Sequence, residues 1–240
     1  MMEDKEGTDL SKGKLYGIGA GPGDPELLTL KAVNTMEKCD VIAVPKTGDS
    51  DKTAFAIIEK YAEGKEILEC RFSMSEDMAK RQEARREAAG RIMRILEEGK
   101  NVGFVTLGDP TTYSTYTYVH KIVAEEGYDA EIIPGITSFA AAAAAFGSAL
   151  CEGEEILTIV PGGNNDSVDD LLGLRGNMVI MKSGAKLNRV LEMLKERGYG
   201  DRTKIAYRAT MDGERFYHNI GEYEKSPETG YFTLAIVKEK

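Results

Sequence analysis

The sequence predicts two α/β domains, a parallel-sheet domain over residues 12–133 followed by a mixed-sheet domain over residues 134–240. Three observations carry this expectation. Strand-like apolar runs alternate with helix-like runs through the first half, the pattern of parallel strands joined by helices. The second half ends in three strand-like runs, two of them joined through Asp212-Gly213, a hairpin signal. Lys14 to Thr29 reads as a strand, a glycine turn and a helix. With 240 residues and 42% hydrophobic content, the chain is long and apolar enough to bury a sizeable core.

In the opening stretch, Leu15, Tyr16 and Ile18 suit a short buried strand. Gly17, Gly19, Gly21 and Gly23 then allow positive φ and close backbone approach. Asp24 is a good N-cap, Pro25 fits the first helical position, and Leu28, Ala32 and Met36 repeat as one buried helix face. A dinucleotide fingerprint is the first thing this suggests, and it fails in detail. Pro22 stands where the third glycine belongs, and the second strand ends in Pro45-Lys46 rather than an acidic residue. A tight strand-to-helix turn without a ligand is the alternative.

Further along, Asp40 to Pro45 is a strand whose exit, Pro45 to Ser50, is a polar loop on the ligand-binding side of an open α/β sheet. Thr53 to Ala62 is a helix, Lys65 to Cys70 a strand, and Met78 to Gly99 a long charged helix whose Arg81, Arg85 and Arg86 read as a solvated face. Val102 to Leu107 is apolar throughout, as a central parallel strand should be. Thr111 to Glu125 reads as a helix capped by Asp109 with Pro110 at its start, and Glu131 to Ile133 as a strand. Ile136 to Phe146 holds six consecutive alanines, Ala140 to Ala145, so a helix, a partner chain or a ligand must lie close against it. In the second half, Ile156 to Val160, Asn177 to Lys182, Lys204 to Thr210, Arg215 to Ile220 and Tyr231 to Val237 read as strands. Asp166 to Leu172 and Ala185 to Arg197 read as helices. Met1 to Gly13 reads as a loose polar tail.

Composition excludes several functions. A formal net charge of −9 argues against a nucleic-acid partner, while leaving room for an anionic small substrate held by a local basic cluster. Three scattered cysteines form no disulfide framework, which points to a reducing cytoplasm. Only two histidines are present, so no His-rich metal site is expected, and His120 reads as structural. No signal peptide or long apolar segment is visible, so a soluble protein without a membrane partner is expected.

Three blocks carry a resemblance. The first is the Gly17 to Ala32 run, Gly-Ile-Gly-Ala-Gly-Pro-Gly-Asp-Pro-Glu-Leu-Leu-Thr-Leu-Lys-Ala. The second is Leu107-Gly108-Asp109-Pro110-Thr111-Thr112-Tyr113-Ser114-Thr115. The third is Ile133-Pro134-Gly135-Ile136-Thr137-Ser138. Together they resemble the tetrapyrrole methylases, and the resemblance covers essentially everything after Gly13. The continuation through Tyr113-Ser114-Thr115, and the later Ala149-Leu150-Cys151-Glu152-Gly153, are similar to the branch that methylates C20 of precorrin-2 or cobalt-factor II in cobalamin biosynthesis.

The resemblance implies a methyl donor, S-adenosyl-L-methionine (SAM), with S-adenosyl-L-homocysteine (SAH) as product. It also implies a site between the two domains, a tetrapyrrole substrate and a homodimer. Carried over by position, the cofactor residues are Pro22, Leu107, Gly108, Asp109, Thr112, Thr137 and Ser138, with Met181 or Lys182, Ala209 and the end of the last strand near Tyr231 to Thr233 from the second domain. Because such substrates carry several carboxylates, Lys46, Arg71, Lys182 and Arg208 are candidate contacts, and Tyr113 is a further polar one. The chemistry calls mainly for alignment, so no catalytic base is named. Two alternatives stand beside this. One is a methylase of the same fold acting on another tetrapyrrole carbon or, like diphthine synthase, on a modified protein histidine. The other is a non-catalytic nucleotide-binding sensor.

Overall fold

A computed structural model describes residues 12–46, 49–73, 75, 77–163, 173, 175–224 and 232–239, with the side chains of residues 49–52 left out. The expected helix at Asp166 to Leu172 lies outside the described residues, as do most of the expected tail and Tyr231. The chain divides into two compact units, Met1–Ile136 and Thr137–Lys240.

The first unit is a five-stranded parallel sheet. Its strands are β1 (Leu15–Gly19), β2 (Val41–Lys46), β3 (Glu66–Arg71), β4 (Val102–Thr106) and β5 (Ala130–Ile133), in the order β3-β2-β4-β1-β5. Alternate side chains enter opposite faces. Ile18, Ile42, Val44, Val105 and Ile133 pack with α1 (Leu30–Glu37) and α2 (Asp49–Ala62). Leu15, Val41, Ala43, Val102 and Phe104 pack with α3 (Met78–Glu97) and α4 (Tyr116–Glu125). Helices on both faces explain why β4 is buried along its whole length. Gly13 is also buried, its N–H donating to the Leu96 carbonyl at 2.8 Å, so the expected loose tail stops short of it.

Two helices start later than expected. Asp24 accepts from the Glu26 N–H at 2.8 Å, and Pro25–Leu27 is a 3-10 turn. Leu28 is then extended, and α1 starts afresh because Thr29 Oγ1 accepts from the Ala32 N–H at 3.1 Å. In the same way α4 begins at Tyr116 rather than Thr111. The Ser114 hydroxyl accepts from the Tyr116 N–H at 3.2 Å and pairs with Thr106 Oγ1 at 3.0 Å, holding residues 111–115 out of the helix.

The second unit is a mixed sheet of β6 (Leu157–Pro161), β7 (Asn177–Met181), β8 (Thr203–Tyr207), β9 (Arg215–Tyr217) and β10 (Thr233–Val237), in the order β6-β7-β10-β8-β9. Only β6 and β7 pair in parallel. Helix α5 (Ser138–Ala145) lies on one face, where Phe139, Ala142 and Ala143 meet Val179, Ala206, Leu234 and Ile236. The alanine run is therefore matched by this unit's own sheet. Helix α6 (Leu187–Glu196) covers the other face through Leu187, Val190, Leu191 and Leu194. The expected strands end early, β8 at Tyr207 and β9 at Tyr217. The Asp-Gly turn is present, with Gly213 at φ 75° and the Glu214 N–H donating to the Met211 carbonyl at 3.1 Å.

The Leu150 to Glu155 segment sits at the amino end of β7. Buried Asn177 donates from Nδ2 to the Leu150 carbonyl at 2.9 Å and to Glu155 Oε2 at 2.8 Å, and Lys238 Nζ reaches the same two oxygens. The Asn177 contact and the nearby lysine hold the Glu155 carboxyl below its ordinary pKa. The motif that resembles the C20 branch is thus clamped at the end of β7 opposite Met181.

Candidate functional site

In the first unit the site grows from the carboxyl ends of β4, β1 and β5, which lie side by side. The helix after β1 packs on one sheet face and the helix after β4 on the other, so the chain diverges between these neighbours. Such a switch point is where open α/β sheets leave a ligand crevice. The turns that leave these strands meet through backbone. Gly21 and Gly108 exchange hydrogen bonds, with the Gly108 N–H donating at 2.7 Å and the Gly21 N–H at 3.2 Å. Both have left-handed φ, 74° and 73°. A Cβ on Gly135 would stand 2.3 Å from the Gly108 carbonyl oxygen and 2.8 Å from Gly19 Cα. One on Gly19 would stand 2.6 Å from Gly135 Cα. Only glycine fits at either place, and the result is a side-chain-free cradle.

Asp109 ties the cradle together. It is 8% exposed, and its Oδ2 accepts from the Gly135 N–H at 2.9 Å. Its Oδ1 accepts from the Thr111 N–H at 2.8 Å and from the Thr111 hydroxyl. Pro22 and Pro110 are buried beside these turns in sequence, Leu107 and Thr112 half-buried. Tyr113 has φ 51° and is 47% exposed, between Thr111, tied to Asp109, and Ser114, tied to Thr106.

In the second unit the carboxyl ends of β7 and β8 flank the start of β10, as the pairing of Thr233 with Tyr207 and of Ala235 with Ile180 requires. Here Lys182, Arg208 and Thr210 have φ of 59°, 52° and 67°. With Tyr113 these are the non-glycine residues at positive φ among the described residues, and all four follow strand ends. Each such residue costs about 1–2 kcal/mol, a cost that tends to collect at functional sites. Ser183 Oγ, Thr233 Oγ1 and Arg208 Nε are buried at this edge with no hydrogen-bond partner among the described residues. Gly162 leaves room for Ser183, whose Oγ would stand 2.2 Å from a Cβ there. Ala209 is buried and Met181 half-buried in the adjoining core.

The sequence-derived candidates fall into groups. Pro22, Leu107, Gly108, Asp109, Thr112 and Tyr113 belong to the first unit's turns. Met181, Lys182, Arg208 and Ala209 gather at the second unit's sheet edge. Thr137 is the N-cap residue of α5, but its side chain makes no capping bond, so capping does not explain the hydroxyl. Ser138 is the helix's first residue. Lys46 and Arg71 are cross-strand neighbours beyond the point where the β2–β4 pairing stops, and Lys46 is ion-paired with Glu69. The sequence named the strand end near Thr233 as a contact and held Thr111, Ser114 and Ser183 only inside its motifs; the roles of these residues and of Thr106 depend on tertiary partners or on burial. No group of three or more metal-ligating side chains occurs among the described residues, and none of their helices is long and apolar enough to cross a membrane.

A parallel sheet whose strand-end turns form a glycine-lined cradle is an architecture that binds small molecules at its carboxyl edge. The family model of the tetrapyrrole (corrin/porphyrin) methylases matches residues 14–223, and the chain belongs to that family. It is 36% identical over 227 residues to the "Probable cobalt-precorrin-2 C(20)-methyltransferase" of Methanocaldococcus jannaschii, covering 94% of this chain and 96% of that one. It is 31% identical to the "Cobalt-precorrin-2 C(20)-methyltransferase" of Salmonella typhimurium, covering 95% and 97%. The fold matches the crystal structure of uroporphyrin-III C-methyl transferase from Thermus thermophilus complexed with S-adenyl homocysteine, at a TM-score of 0.69, 22% identity and coverage of 95% and 98%.

The residues present fit the donor this family implies. Glycines bring the backbones of the three turns into contact and leave the cradle free of side chains. The buried, unpaired Ser183 and Thr233 hydroxyls suit polar groups of a ligand.

Proposed function

We propose that this protein is a SAM-dependent methyltransferase that methylates C20 of precorrin-2 or its cobalt form in cobalamin biosynthesis. The observation that carries this reading is the 36% identity, over nearly the whole of both chains, to a relative of that name. SAM, when bound, supplies a methyl group made electrophilic by its sulfonium. The chain's task is to bind and align, because the reduced macrocycle carries its own nucleophilic carbon. In the first unit, the backbone at Gly108, with Pro22, Leu107, Thr112 and the Asp109-tied turn, is proposed to hold the donor. Thr137 and Ser138, and the second unit's Met181, Lys182 and Ala209, are the further donor contacts. Tyr113 and Arg208 are proposed substrate contacts, a ring and a guanidinium for a flat, carboxylate-bearing molecule, with Lys46 and Arg71 as additional cations.

We place the enzyme in the cytoplasm as a homodimer. The free thiols of Cys39, Cys70 and Cys151 suit a reducing compartment. Light scattering that returned a monomer mass would remove the dimer.

The binding claim is tested by thermal shift. SAH at a hundredfold excess over its Kd stabilises by about 2.7 kcal/mol, a rise in melting temperature of roughly 5 °C or more for a chain of this size. NAD should give no rise. A rise with NAD and none with SAH or SAM would favour a nucleotide sensor instead.

A further inference from the structure

The geometry points to Asp109 as a positioning residue whose carboxylate latches the β4 turn to the β5 turn, so that the donor meets the backbone of the cradle rather than the carboxylate. The inference rests on the SAM reading above and says how that site is assembled. A carboxylate offers about four acceptor sites, and one that serves chiefly as a ligand leaves most of them open and accessible. Asp109 is 8% exposed, with Oδ2 on the Gly135 N–H at 2.9 Å and Oδ1 on the Thr111 N–H at 2.8 Å and on the Thr111 hydroxyl. Three donors of its own chain engage both oxygens, and bonds to an ionised acceptor are the stronger kind. One of those donors belongs to Gly135, the residue whose Cα abuts Gly19 and whose missing Cβ leaves room for the Gly108 carbonyl. The tie therefore fixes the distance between two of the three turns that form the cradle.

Thr111 sits on the same turn as Asp109 and anchors the carboxylate's other oxygen, so a latch and a ligand respond differently when that anchor is removed. Thr111 is exposed, and its hydroxyl reaches Asp109. Thr111→Val deletes that bond and leaves the carboxylate in place, and Thr111→Ser restores a hydroxyl. Isothermal titration with SAH on the full chain, each variant first checked for a native far-UV spectrum, reads the difference. The latch predicts that Asp109→Asn raises the SAH Kd by roughly tenfold or more, and Thr111→Val by about threefold, with Thr111→Ser near wild type. It also predicts less than additive losses in the double variant Asp109→Asn/Thr111→Val, because both changes act on the same side chain. SAM and SAH affinities should fall together, since no charge is withdrawn from beside the sulfonium.

Thr111→Val binding like wild type would overturn the latch, and so would additive losses in the double variant. A loss in Asp109→Asn confined to SAM would also overturn it, and would make the carboxylate a donor contact. If Asp109→Asn does not fold, the Thr111→Val and Thr111→Ser pair decides alone. A wild-type protein that binds neither SAM nor SAH would refute the SAM reading itself, an outcome separate from any of these.

Discussion

Gly135→Ala abolishes the SAH-dependent rise in melting temperature and destabilises the protein by about 3 kcal/mol, the upper part of the usual cost of overpacking. The added Cβ would stand 2.3 Å from the Gly108 carbonyl oxygen and 2.8 Å from Gly19 Cα, both backbone atoms. A flexible side chain could swing away from such a contact, whereas strand-end backbone cannot move without breaking the Gly21–Gly108 pair or the Asp109 tie. Gly90→Ala is the matching control. Gly90 lies inside α3 with nothing within 4 Å of an added Cβ, so the change should stabilise by about 0.5–1 kcal/mol and leave SAH binding intact. Paired melting curves with and without SAH separate the two. A Gly135→Ala protein that melts and binds like wild type would mean that the turns are not held in contact.

Tyr116→Ala should be the most damaging single change to stability, at about 4 kcal/mol. Tyr116 is fully buried at the head of α4, its ring over Gly17 of β1, where a Cβ would stand 2.0 Å from ring carbons. It also packs against Phe104 at 5.4 Å between ring centroids, and its hydroxyl bonds His120 Nδ1 at 2.9 Å. Truncation opens a cavity between β1 and α4 that neither strand nor helix can close. Tyr116→Phe keeps the ring and loses only the hydroxyl, so its cost should be near 1 kcal/mol. Urea denaturation of both variants checks the ratio. Equal, small losses would show that the ring does not fill that space.

These two residues also show what could be read without a structure. The strand-turn-helix at Leu15 was legible because its signals are local: apolar alternation, glycines and a proline. The role of Gly17 was not legible, because it depends on a tyrosine 99 positions later along the chain. Taken as part of a ligand turn, Gly17 is instead the flat spot under Tyr116. The late start of α4 has the same origin. Asp109 and Pro110 are good opening residues for a helix, but the Thr106–Ser114 hydroxyl pair moves the first turn to Tyr116 and leaves Tyr113 at φ 51°. The alanine run signalled close packing and suggested a helix, a partner chain or a ligand; what packs on it among the described residues is the sheet face bearing Val179 and Ile236. At the second unit's edge, the resemblance pointed to the strand end near Thr233 but to neither of the hydroxyls of Ser183 and Thr233. Their interest lies in being buried and unpaired, and only coordinates supply that.

The reaction proposed for this chain is transfer of a methyl group from SAM to one carbon of a reduced tetrapyrrole. The most direct test is to incubate the protein with [methyl-13C]SAM and, in separate reactions, precorrin-2 and its cobalt form, and to read the product by 13C NMR. A single labelled methyl on C20 is expected, formed from at least one of the two substrates. A label on any other ring carbon, or none from either substrate while SAH still binds, would contradict it.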